Sequence, residues 1–179
     1  MLKRFTAALL LITALVLQGC VGAVTGMQAY SDTFDGYHFL YPIGWTEVKV
    51  SGSADVVFHD IVNETENISV VISDVPEGQT LQDLGTPTEV GYKLSKSINA
   101  LAGDDREVEL ANAIEIAHSG QPYYVLEYIA DLPSGVRHNL ASVVVRRNKL
   151  FTFNASTEEA RWEKVSDLMK QAVASFEVD

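Results

Sequence analysis

The sequence predicts an α+β domain, an antiparallel sheet with helices packed over it. Short runs rich in Val, Ile, Tyr and Phe recur along the chain between clusters of turn residues, which reads as strands. The connections are short, so neighbouring strands pair antiparallel. Two other stretches place apolar residues three and four apart, the spacing of one helical face. A helix with only one apolar stripe needs a sheet to lie on.

Residues 37–41 read as a strand, Pro42-Ile43-Gly44 as a turn, and 45–50 as the return. Ser51-Gly52-Ser53 turns the chain into a short strand over 55–60. Residues 63–67 are polar and acidic and read as a loop, followed by a strong strand over 68–73 and a loop containing Pro76 and Gly78. Thr86-Pro87-Thr88-Glu89 matches a capping box, with proline at the first helical position, where its missing amide costs nothing. Val90, Leu94, Ile98 and Leu101 then mark one helical face, ended at Ala102-Gly103.

Residues 107–117 and 123–130 read as two longer strands around Ser119-Gly120-Gln121-Pro122. Pro133-Ser134-Gly135 turns into a strand over 140–145. Arg147-Asn148-Lys149 then leads to a partner strand over 150–153. Ser156-Thr157-Glu158-Glu159 is a second capping-box match. Behind it Trp162, Val165, Leu168, Met169, Ala172, Val173 and Phe176 share one face of a closing helix.

The composition suits one folded domain rather than disorder, with 47% hydrophobic residues in 179. Formal charge is −11, and loss of Lys3 and Arg4 with a cleaved leader would leave 11 bases against 24 acids. Such a body repels nucleic acid and anionic membrane surfaces. Residues 1–20 read as a targeting segment: a basic start, then an uncharged run over 5–17, which is too short to span a bilayer. Leu17-Gln18-Gly19-Cys20 resembles a bacterial lipobox. Cleavage before Cys20 and acylation there would anchor the chain to a membrane, each buried methylene contributing ~0.8 kcal/mol. Cys20 is the single cysteine, so an acylated chain forms no disulfide and has no thiolate nucleophile. Residues 21–32 read as a flexible tether and 33–179 as the folded domain, with no sign of oligomerisation.

Three stretches resemble the PsbP family, the extrinsic lumenal proteins of photosystem II. They are Phe34-Asp35-Gly36-Tyr37-His38-Phe39-Leu40-Tyr41-Pro42-Ile43-Gly44-Trp45, then Leu81-Gln82-Asp83-Leu84-Gly85-Thr86-Pro87-Thr88-Glu89-Val90-Gly91, then Tyr123-Tyr124-Val125-Leu126-Glu127-Tyr128 with Arg137-His138 and Arg161-Trp162. With the lipobox, the resemblance is to the cyanobacterial lipoprotein form. It implies an α-β-α sandwich around an antiparallel sheet and a place on the lumenal face of the thylakoid membrane. It also implies a non-enzymatic role: docking on photosystem II subunits and supporting assembly, or the manganese-calcium water-oxidation site.

His138 falls where the resemblance puts a metal-binding histidine, and Glu159 near its acidic partner. Imidazole and carboxylate suit zinc or manganese. Glu159 is also the last acid of the capping box, which competes with a ligand role. Weaker candidates are His59 and Asp60 with Glu64 and Glu66 nearby, and Asp35 with His38; acidic loops are commonly just solvated. The chain has no Gly-x-Ser-x-Gly elbow, no phosphate-binding loop with lysine and no dinucleotide fingerprint, so it is expected not to be an enzyme.

Overall fold

A computed structural model describes residues 26–49, 52–102 and 107–179. The leader expected at 1–20, Cys20 and the first residues of the expected tether lie outside the described residues.

Among the described residues ten strands and two helices follow one another: β1 (Met27–Asp32), β2 (Tyr37–Pro42), β3 (Trp45–Glu47), β4 (Ala54–Asp60), β5 (Asn67–Asp74), α1 (Pro87–Ala102), β6 (Glu107–His118), β7 (Gln121–Leu132), β8 (Gly135–Arg146), β9 (Lys149–Glu158), α2 (Glu159–Ala174) and β10 (Glu177–Val178). A 3₁₀ turn, Gln82–Leu84, precedes α1. Seven strands form one sheet in the order β3-β4-β5-β9-β8-β7-β6, and β1-β2-β10 form a small second sheet. The strand pairs among the described residues are antiparallel, as short turns require of the hairpin neighbours; β5–β9 and β2–β10 pair antiparallel across longer connections. The β6–β7 and β8–β9 hairpins turn through Ser119-Gly120 and Arg147-Asn148, all four at positive φ, the twist that two-residue hairpins demand.

The structure departs from the sequence reading at four places. The closing helix stops at Ala174 with Ser175 as its C-cap, so Phe176, expected on its inner face, follows it and is buried from the segment leading into β10, a strand not expected from the sequence. Residues 27–32, expected as tether, form β1 and pair with β2 from Met27↔Pro42 to Asp32↔Tyr37. Their polar alternation hides a strand whose inner residue, Tyr30, packs 5.1 Å from Phe39 and 5.3 Å from Phe58, ring centre to ring centre. The second capping box also fails: β9 continues through Glu158, whose side chain caps nothing. The first one forms as written. Glu89 Oε2 accepts from the Thr86 amide at 2.8 Å, and Thr86 Oγ1 accepts from the Glu89 amide at 3.3 Å.

Alternation along the strands splits the interior into two cores. On one face of the large sheet, α2 and the small sheet enclose Tyr37, Phe39, Phe58, Phe151, Phe153 and Phe176. Their rings meet edge-on or offset, Phe39 and Phe153 at 4.9 Å and Phe153 and Phe176 at 5.1 Å. On the other face, α1 covers Val108, Leu126, Tyr128 and Val143. Gly91 lets α1 approach β6, because a Cβ there would fall 2.7 Å from Leu110. Helices on opposite faces of an antiparallel sheet give the α+β sandwich expected. Among the described residues no helix is long and apolar enough to cross a membrane.

Candidate functional site

The best-organised polar cluster lies where β9 runs into α2. Because β9 stays extended to Glu158, Glu159 becomes the first helical residue and its carboxylate faces the sheet. It meets His138 of β8, Oε2 to Nδ1 at 2.7 Å, so the sequence-predicted pair does come together. The other ring nitrogen is 2.7 Å from Glu127 Oε1 on β7. Trp162, one turn into α2, stacks on the imidazole with ring centres 3.6 Å apart and planes 8° from parallel. His138 is only 5% exposed. Ionised carboxylates only accept, so both contacts are N–H donations when the ring carries both protons.

The hydroxyls expected to cap the helix have other partners. Ser156 Oγ accepts from Arg137 Nε at 3.0 Å and Nη2 at 2.7 Å. Thr157 Oγ1 donates to Glu66 Oε1 at 3.4 Å. Glu66 is 2% exposed and takes an ion pair from Arg161 Nε, so a buried acid lies beside its neutralising base. That hydrogen bond holds the Arg161 guanidinium above its ordinary pKa. Arg137 also donates to the Thr65 carbonyl, and burial lowers its pKa. The β4–β5 turn, the sheet and the start of α2 are thus cross-linked by charge-assisted hydrogen bonds.

The other candidates sit elsewhere. Asp60 closes the β4–β5 turn, accepting from Asn63 Nδ2 at 3.0 Å and the Val62 backbone N–H at 2.8 Å. The Asn63 contact foremost holds its carboxyl below the ordinary range. Strand alternation puts His59 on the opposite face from Asp60. Glu64 is exposed in that turn. His38 turns toward Glu177 and Asp179 rather than toward Asp35. Asp35 lies near Lys149 Nζ at 3.7 Å and shares an acidic group with Asp32 and Asp55. Tyr37 donates to Asp55 at 2.5 Å, and burial raises its phenol pKa.

Sequence reasoning missed Glu127. A lone acid within Tyr123-Tyr124-Val125-Leu126-Glu127-Tyr128 is the available cue. It shares the α2-facing side with Val125 and Tyr123 and needs a buried partner.

Fold and site together define a class: an antiparallel α+β sandwich whose ordered polar centre binds the sheet to its closing helix. The chain belongs to the PsbP family, whose profile matches residues 25–178. It is 45% identical over 183 aligned residues to CyanoP of Thermosynechococcus vestitus, spanning 99% of this chain and all of that protein. It is 46% identical over 184 residues to CyanoP of Synechocystis, covering 98% of each. The solution structure of cyanobacterial PsbP (CyanoP) from Synechocystis sp. PCC 6803 superposes with a TM-score of 0.76 at 47% identity. That match covers 91% of this chain and 99% of the other.

Proposed function

We propose that this chain is a non-enzymatic accessory protein that docks on photosystem II at the lumenal face of the thylakoid membrane. There it supports assembly or stability of the complex and its water-oxidation site. End-to-end similarity to two CyanoP proteins carries this reading. The lipobox supplies the tether, with acyl chains on Cys20 keeping the domain at the bilayer. The test is capture of the tagged chain from solubilised thylakoids, followed by mass spectrometry. Photosystem II subunits are the expected prey, and their absence would overturn the reading. Cys20→Ser is expected to release the chain from membranes into the soluble fraction.

A second reading, an ion held by His138 and Glu159, has one observation in its favour. Glu127 engages the far nitrogen, as outer carboxylates do when they orient a metal-binding imidazole. The donor set then fits zinc or manganese at Nδ1 and the Glu159 carboxylate, with two protein ligands. The double variant His138→Ala/Glu159→Ala separates the readings. Photosystem II association is expected to persist; loss of association with the fold intact favours the ion.

A further inference from the structure

On the far side of the α2-facing core, three strands from both sheets meet. β2 brings His38, β10 brings Glu177 directly opposite it in register, and β6 ends in His118. Glu177 Oε2 lies 3.6 Å from His38 Nε2 and 3.4 Å from His118 Nε2. On the other edge of the His38 ring, Asp179 Oδ1 is 3.7 Å from Nδ1. The backbone around the cluster is fixed. The Tyr123 hydroxyl accepts from the Val178 amide at 3.1 Å, Gly36 O accepts from the Asp179 amide at 3.0 Å, and Asp179 O accepts from Arg146 Nε at 3.1 Å.

We propose that His38, His118 and Glu177 form a binding site for a divalent transition metal of the zinc type, with Asp179 orienting His38. Two imidazole nitrogens and one carboxylate are a known zinc donor set that leaves a fourth position for water. Tetrahedral ligands on such an ion lie about 3.3 Å apart, close to both nitrogen-to-oxygen distances here. In the present rotamers the imidazoles straddle Glu177. Their side chains are 44% and 31% exposed, and an ion held by all three requires the imidazoles to turn inward about Glu177. Asp179 Oδ1 stands 3.7 Å from Nδ1, on the edge of the His38 ring from which outer carboxylates orient metal-bound histidines. An ion there would pin the small sheet to the β6–β7 hairpin, a cross-link independent of His138.

Zinc chloride titration of the full chain in detergent tests the site, using the His138→Ala/Glu159→Ala variant to silence the other candidate pair. One zinc per chain and a raised melting temperature are expected. Addition of His118→Ala or Glu177→Gln is expected to abolish both, and Asp179→Asn to weaken binding about tenfold. Unchanged binding in His118→Ala and Glu177→Gln, or no zinc bound once His138 and Glu159 are gone, overturns the site. If the combined variants fail to fold, imidazole NMR of the unmutated chain decides. Joint saturation of the His38 and His118 resonances at one zinc supports the site, and separate or absent responses overturn it. Neither result bears on photosystem II capture.

Discussion

Alternate residues of the same strands build the two faces of the large sheet, and they are sealed to different degrees. Along β9, Phe151, Phe153 and Ala155 point into the aromatic core under α2, each fully buried. Thr152, Asn154 and Ser156 point the other way, onto the face that α1 covers chiefly at β6 and β7. There a cavity of about 400 Å³ opens between an apolar wall, with Leu94, Val108 and Leu132, and a floor of Ser69, Thr152 and Asn154. One face is closed by interlocked rings; the other is half roofed and floored with hydroxyls and amides. Stability therefore concentrates on the α2 side, and local opening belongs to the α1 side.

Four perturbations break or sharpen this contrast. The largest is Phe153→Ala, which removes a ring packed against Phe39 and Phe176 and is expected to cost about 4 kcal/mol in urea unfolding. A cost below 1 kcal/mol would mean the aromatic core is not the stabilising half. Next comes His138→Ala, which strands the Glu127 and Glu159 carboxylates and unstacks Trp162. A loss of about 3 kcal/mol is expected, with hydrogen exchange faster at the start of α2 than in α1.

Tyr128→Phe acts on the other face. Its hydroxyl donates to the Gly91 carbonyl at 3.1 Å, which already lies within α1, so about 1 kcal/mol is expected and exchange should quicken in α1 alone.

The smallest effect is acid-induced. Asp60, held down chiefly by Asn63, and Glu177, held down chiefly by Ser119, both sit on the α2 side with lowered pKa values. A lowered folded pKa means the stabilisation is complete above the unfolded value. It disappears as pH falls through the folded one, hence from about pH 4 downward. Unfolding followed from pH 6 to pH 2 should show that loss, and Asp60→Asn with Glu177→Gln should reduce it, leaving the part owed to Asp83 and Glu89, whose carboxyls Thr80 and Thr86 likewise hold down around the start of α1.

Much of this contrast was legible in the sequence. Val90 and Leu94 announce the inner stripe of α1, and Trp162, Val165, Met169 and Val173 that of α2, because helical period is a local property. Thr86 and Glu89 cap α1 because nothing else competes for them. Ser156 and Thr157 carry the same pattern yet serve Arg137 and Glu66, which lie far away along the chain. Pairing at that distance is set by sheet register, which the local pattern does not encode. β1 escaped for the same reason, since only its partner β2 and the ring of Tyr30 make it a strand. Within the site, His138 and Glu159 were readable through resemblance, whereas Glu127 needed the β7–β8 register to bring it beside the ring.

The stacking of Trp162 on His138 gives the molecule its own optical gauge. A protonated imidazole in contact with an indole quenches its emission, so Trp162 is expected to be dim while sheet and helix remain joined and His138 is charged. Any partner, ion or solvent change that pries them apart is expected to brighten it. With Trp45 as the one other indole, replacing Trp45 by Phe would leave a single-colour readout of the clamp during docking, with no dye attached.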